Sequence, residues 1–301
     1  MSHLPPWLIK KVPKRQNIKK IQDLLEGTPL RTVCQSAKCP NIGECFSRNT
    51  LTFMILGNVC TRSCRFCAVD HRTQTTDYRP AAPLPPPDPL EPQYLAEAAK
   101  KLGLKYVVIT SVTRDDLDDG GAGHFAKCIT TLKDQIPGVK VEVLVPDFQG
   151  NLAALKTVVE AGPDVLNHNI ETIPRLYAEI RPQAIFARSI NLLRHAKELS
   201  AAKAGKNRIY TKSGFMVGLG EKQEEVFALL KNLRDAAVDI VTIGQYLAPS
   251  PQHAPVKEFV PPDVFGKYRD RAKALGFLQV AAGPFVRSSY QAEAVLEQSL
   301  S

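Results

Sequence analysis

No stretch of this 301-residue chain approaches the roughly 18 consecutive apolar residues that a membrane span needs. The N-terminus lacks the apolar core of a secretory signal, and its first twenty residues hold no acidic group. Seven cysteines are an odd number on a long chain, which argues against a secreted disulfide framework and for a reducing cytoplasm. No nucleic-acid-binding motif accompanies the basic residues. The run Gly218-Leu219-Gly220 is too incomplete for a dinucleotide fingerprint. The RDDLDDGG loop fails as an EF-hand, because counting from Asp116 puts Gly120 at the fifth position and Lys127 where the closing Glu belongs.

What is present is basic and cysteine-clustered. Formal net charge is +9, and Lys10, Lys11, Lys14, Arg15, Lys19 and Lys20 crowd the first twenty residues. Such an arm suits an acidic protein partner, although a solvated terminus accounts for any single lysine. Arg181 and Lys257 could meet the same partner. Six of the seven cysteines lie between Cys34 and Cys67, as C-x4-C-x5-C (Cys34, Cys39, Cys45) and C-x3-C-x2-C (Cys60, Cys64, Cys67). Soft thiolates in close sequence select zinc, copper(I) or iron–sulfur clusters. Three per site is one short of a structural zinc shell, but leaves one iron of a cubane open. A zinc module using Cys64, Cys67 and His71 stays open on spacing alone. The seventh cysteine, Cys128, falls on one helical stripe with Phe125, Ile129 and Leu132 and reads as core.

Hydrophobic periodicity predicts an α/β chain: strands at 51–56, 106–110, 139–145, 164–170, 210–218 and 239–246, and helices at 92–102, 122–136, 151–161, 188–200, 222–237 and 262–275. An apolar run follows at 278–283, a short helix precedes Gly27 within 18–27, and seven prolines between Pro80 and Pro92 make an extended connector. Strict alternation implies right-handed crossovers and a parallel sheet. Six units suggest a partial (β/α)6 TIM-like barrel with N- and C-terminal extensions. The expected parts are residues 1–50, carrying the first triplet, a barrel over 51–285, and a closing segment at 286–301. Reactive groups belong on loops after the strands' C-terminal ends. The second triplet sits there, as do polar clusters after later strands.

The second triplet, with Phe66 before its last cysteine, resembles the signature of the radical S-adenosylmethionine (SAM) superfamily. The first triplet just upstream narrows the likeness to the lipoyl synthase family. CPNIGEC, FMILG, CTRSCRFCAV, GLKYVVITSV, RDDLDDGGA, EVLVPDFQG, NHNIET, GFMVGLGE and GPFVRSSY all read like that family, across residues 7–292. Asn58 and Thr113 stand where other polar residues, often acidic, are expected, and Phe46 where tryptophan is common. The resemblance implies two [4Fe–4S] clusters. Cys60, Cys64 and Cys67 would hold one whose open iron binds SAM. Cys34, Cys39 and Cys45 would hold an auxiliary one, with Ser289 of Arg287-Ser288-Ser289-Tyr290, rather than Ser288, as fourth ligand. On the residues alone these serines would be a helix N-cap before QAEAVLEQ, and Glu171 a helix-start carboxylate. By the same resemblance Phe66 and Arg114 face SAM; Asn169 and Glu171 sit where a polar pair after the fourth strand could take its ribose or amino groups, and Gly218 lets backbone approach its adenine. The implied reaction inserts two sulfur atoms at C6 and C8 of an octanoyl chain on a lysine of a lipoyl-carrier protein, spends two SAM per lipoyl group, and takes sulfur from the auxiliary cluster. An electron donor and an iron–sulfur carrier protein are the other implied partners, with no nucleic acid and no membrane.

Overall fold

A computed structural model of the chain describes residues 4–9, 19, 21, 23, 25–48, 50–71, 83–202, 208–289 and 292. Lys10, Lys11, Lys14, Arg15, Lys20, Pro80, Tyr290 and most of the segment after it lie outside the described residues. Of the helix expected at 18–27, the described positions 19, 21, 23 and 25 are helical, with Ile21 and Leu25 buried.

One eight-stranded sheet runs in chain order: β1 (Arg31–Thr32), β2 (Thr52–Ile55), β3 (Tyr106–Ser111), β4 (Lys140–Leu144), β5 (Val165–Asn167), β6 (Tyr210–Val217), β7 (Ile240–Gln245) and β8 (Gln279–Gly283). β1 lies antiparallel to β2, and every later pairing is parallel. Between the strands come α1 (Val33–Ser36) and α2 (Ile42–Ser47), then α3 (Glu91–Lys101), α4 (Ala122–Gln135), α5 (Leu152–Glu160), α6 (Tyr177–Ile180), α7 (Phe186–Ala201), α8 (Gln223–Asp235) and α9 (Pro262–Ala274). β1 and β8 are its two edges, so this is an open, partial TIM-like barrel.

The sequence implied six parallel strands and the fold has seven, because the run at 278–283 pairs with β7 as β8. β1 went unforeseen; two residues carry no periodicity. β5 is shorter than the 164–170 expected: its ladder stops at Asn167, and beyond it only Glu171 bridges to Phe215 of β6.

Inward and outward faces alternate along each strand. On β2, Phe53 and Ile55 join the buried helix-side core with Leu95, Phe125 and Cys128, while Thr52 and Met54 face the barrel cavity. Burying a Phe or Ile this completely is worth about 1.5–3 kcal/mol. Tyr106, Val165, Tyr210 and Ile240 pack into an apolar layer of their own. Against it lie polar residues: Lys212 Nζ donates to both oxygens of Glu142, at 2.9 and 3.0 Å, and Tyr106 donates to the same carboxylate at 2.7 Å.

Candidate active site

A cavity of about 510 Å³ opens at the C-terminal ends of the strands. Cys34 and Cys39 of the first triplet line it, as do Cys60, Cys64 and Cys67 of the second. Local structure places each group. Thr32, ending β1, caps α1, so Cys34 enters the cavity two residues after a ladder paired to β2. Leaving β2, the chain turns at Leu56 (φ 68) and Gly57 (φ 92) and runs into the second triplet. Glu91 accepts from the Leu56 amide at 2.9 Å, and His124 Nε2 lies 2.7 Å from the same carboxylate.

Arg62, between Cys60 and Cys64, clamps that loop. Its guanidinium donates to Asp115 at 2.7 and 2.9 Å and to Asp147 at 2.6 Å. Burial, the largest single influence, would raise the Asp147 carboxyl, but the bond and charge of Arg62, joined by His168 and the Gln149 amide, together outweigh it and hold Asp147 at about 2. His253 Nε2 lies 3.1 Å from the Cys67 carbonyl on the loop's far side.

Desolvation pushes the thiols of Cys34 and Cys67 up to about 12, and each is raised further by the other two cysteines of its own triplet. That mutual influence shows each triplet gathered in space, with half-buried Cys45 beside the cavity wall rather than in it. Burial also raises Cys64, against the opposing charge of Arg181. A multivalent cation or cluster bound to such thiols would release their protons. Among the described residues, no three His, Cys, Asp or Glu side chains close on a single metal ion. A cubane spreads its ligands more widely than one ion does, and an all-sulfur donor set suits it.

Phe66, Asn169, Glu171, Ser288 and Ser289 line the cavity too. Glu171 is a non-glycine residue held in the left-handed region by backbone bonds to Gly214 and Met216, and Asn169 Nδ2 donates to its carboxylate at 3.1 Å. Ordered strain beside a cavity is a mark of function. Burial raises the Glu171 carboxyl. Ser289 Oγ accepts from Thr52 Oγ1 at 2.8 Å, and the Thr52 backbone also serves the Cys34 thiol, so serine and first triplet meet at one strand end.

Two expected residues stand elsewhere. Arg114 is buried outside the lining, its guanidinium taken by Asp116 at 2.8 Å and by the Leu56 and Pro85 carbonyls. Gly218 also lies outside it: its amide donates to Glu221, its carbonyl accepts from Lys257, and a Cβ there would strike Gln245 and Glu258. Its smallness serves loop packing. Arg181, read as a carrier contact, is instead buried, donating to the Asn169 and Ile170 carbonyls at 3.1 and 3.0 Å and lining the cavity beside Cys64. Lys257 is exposed. Sequence reasoning missed Arg62, Asp147 and His253 as supports; only Arg62, lying between two cysteines, carried any local signal.

A profile of the Radical SAM superfamily matches residues 54–233. A lipoyl synthase of Caldanaerobacter subterraneus subsp. tengcongensis is 54% identical over 289 residues, covering 96% of this chain and 95% of the relative. The chain belongs to the lipoyl synthase family. A further family member, from Chlorobium limicola, is 50% identical over 96% of this chain and 94% of its own. The fold is shared with two solved structures: SuiB of Streptococcus suis bound to S-adenosylmethionine (TM-score 0.55, 13% identity, 80% of this chain and 53% of that one) and HydG, a maturase of the [FeFe]-hydrogenase (0.53, 14%, 94% and 77%). A member of this family is a radical SAM enzyme of the sulfur-inserting kind, and the superfamily works with a [4Fe–4S] cluster and SAM.

Proposed function

We propose that this chain inserts two sulfur atoms, at C6 and C8, into an octanoyl chain amide-linked to a lysine of a lipoyl-carrier protein, spending two SAM per lipoyl group. The observation that carries this reading is that Cys34 and Cys39 of the first triplet, all three cysteines of the second, and Ser289 line one cavity. In it, Cys60, Cys64 and Cys67 hold the cluster that binds SAM, and Cys34, Cys39, Cys45 and Ser289 hold an auxiliary [4Fe–4S] cluster. Residues 1–50 bring the auxiliary thiols, 51–285 the barrel, and 286–301 the oxygen ligand.

With cluster and SAM bound, a 5′-deoxyadenosyl radical becomes available to abstract hydrogen from unactivated carbon. When bound, the auxiliary cluster would supply the sulfur, and because oxygen is a harder donor than thiolate, Ser289 would hold its iron less firmly than Cys34, Cys39 and Cys45. The chain's own residues do the rest. Phe66, Asn169 and Glu171 orient SAM, and Arg181 keeps a positive charge beside Cys64 and Glu171. The apolar inner side chains, among them Met54, Val112 and Leu144, offer an alkyl chain a surface it can displace water from.

A lipoyl-carrier domain is the macromolecular substrate, an electron donor and an iron–sulfur carrier are the helpers, and the cytoplasm is the compartment. No helix among the described residues is long and apolar enough to cross a membrane. The test uses octanoylated carrier peptide, dithionite and SAM: 5′-deoxyadenosine should form in amounts that depend on the peptide. Cys34→Ala, Cys39→Ala or Cys45→Ala should spare SAM cleavage and stop insertion, whereas Cys60→Ala, Cys64→Ala or Cys67→Ala should stop both. SAM cleavage indifferent to the octanoyl group would give the chain to a different reaction of the superfamily.

A further inference from the structure

Ser288 and Ser289 are neighbours whose hydroxyls bond to opposite parts of the sheet. Ser289 Oγ bonds to Thr52 on β2. Ser288 Oγ accepts from Asn167 Nδ2 of β5 at 2.7 Å and donates to Asn169 Oδ1 at 2.8 Å. Asn167 Nδ2 also donates to Glu142 Oε1 at 3.2 Å, and Glu142 is paired with Lys212; both side chains are 1% exposed.

This buried ion pair has no part in binding the cluster ligands described above. As a stabilising device it is a poor choice, because desolvation cancels most of the attraction between buried charges. As a device for fixing direction it is effective. A carboxylate can only accept, so Asn167 must turn its NH2 group toward Glu142 and cannot flip. The amide then offers Ser288 a donor, and the Ser288 proton has to go to Asn169. The orientation leaves Asn167 Oδ1 buried without a hydrogen-bond partner among the described residues, a penalty accepted for the sake of the donor. The same segment is accommodated elsewhere: Asn41 Nδ2 donates to the Phe285 carbonyl at 2.7 Å, and the Val286 carbonyl occupies the space a Cβ would need at Gly244.

We propose that Ser288 is a positioning residue: the bonded series Lys212, Glu142, Asn167, Ser288 seats Val286–Ser289 across the open barrel and thereby sets the Ser289 hydroxyl beside Thr52 and Cys34. The seating itself stands on these contacts; its consequence for iron rests on the reading of Ser289 as the auxiliary ligand.

The test is hydrogen exchange of peptides spanning 284–289 in the full-length, iron-free protein. Ser288→Ala should exchange there roughly tenfold faster or more, the effect of losing two bonds in a locally opening segment. Ser288→Thr, which keeps the hydroxyl, should stay within about twofold of wild type. Asn167→Ala, which leaves Ser288 in place, should also expose the segment. In anaerobically loaded protein, the Mössbauer spectrum of Ser288→Ala should show the auxiliary-iron signature of Ser289→Ala. Exchange at the wild-type rate in Ser288→Ala, or an unchanged iron spectrum beside an altered one for Ser289→Ala, overturns the proposal. If Ser289→Ala itself has the wild-type spectrum, the ligand reading falls, and the exchange measurement still decides the role of Ser288.

Discussion

His168 is buried in the cavity wall where β5 ends, with Nδ1 2.8 Å from the Val145 carbonyl and Nε2 2.9 Å from Ser189 Oγ. Burial, then the charge of Arg181, lowers its pKa from 6.5 to about 4. The unfolded chain therefore takes up a proton near pH 6.5 that the native state refuses until pH 4, so stability falls as pH drops through that window. The full shift corresponds to roughly 3 kcal/mol. Urea midpoints for wild type and His168→Gln between pH 4 and 6.5 should diverge, the variant having the flatter slope. Equal slopes would mean that other groups set the acid limit. At this scale the sequence was readable where chemistry is local. The cysteine triplets announced themselves by spacing, and Cys128 by its helical stripe, which the structure buries completely. Arg62, Arg114 and Arg181 were opaque, because an arginine's job depends on which carboxylates and carbonyls the fold brings to it. The Asp147 that Arg62 meets is 85 residues away.

The segment after β8 shows what an element can do without regular structure. It crosses the gap that the edge strands leave, bonded to Asn41, Thr52, Asn167 and Asn169. It fits against β7 only because position 244 is glycine. Gly244→Ala should push Val286 out of place, cost about 1–3 kcal/mol in overpacking, and lower the iron retained by the first triplet more than by the second. Thermal unfolding and iron counts on the purified variant measure both. Equal loss from the two sites would point to general unfolding instead. The six long helices were legible to within a residue or two, since each has an apolar stripe against the sheet, whereas the short α1, α2 and α6 went unforeseen because four to six residues show no such period. The strands that carry the barrel were legible as buried runs. β1 and the crossing segment were not, because two residues, or six without periodicity, take their shape entirely from what they touch.

For the molecule as a whole, an open barrel with one cavity shared by two thiol groups predicts about eight irons per chain after anaerobic reconstitution. Chemical iron and sulfide determination checks this, and Cys34→Ala and Cys60→Ala should each retain about half. A single-cubane plateau in wild type would remove the auxiliary centre and the proposed sulfur source with it. Architecture at this level was visible in the alternation of strands and helices, short of one parallel strand and the antiparallel edge. The pairing of that edge has a mechanical corollary. Arg31 and Thr32 are registered against Met54 and Phe53, so the strand that launches the second triplet also anchors the first. β2 thus acts as a common ruler between the two. Lengthening the turn after it would slide one triplet along the barrel rim while the other stayed put, and a residue added before Arg31 would move neither.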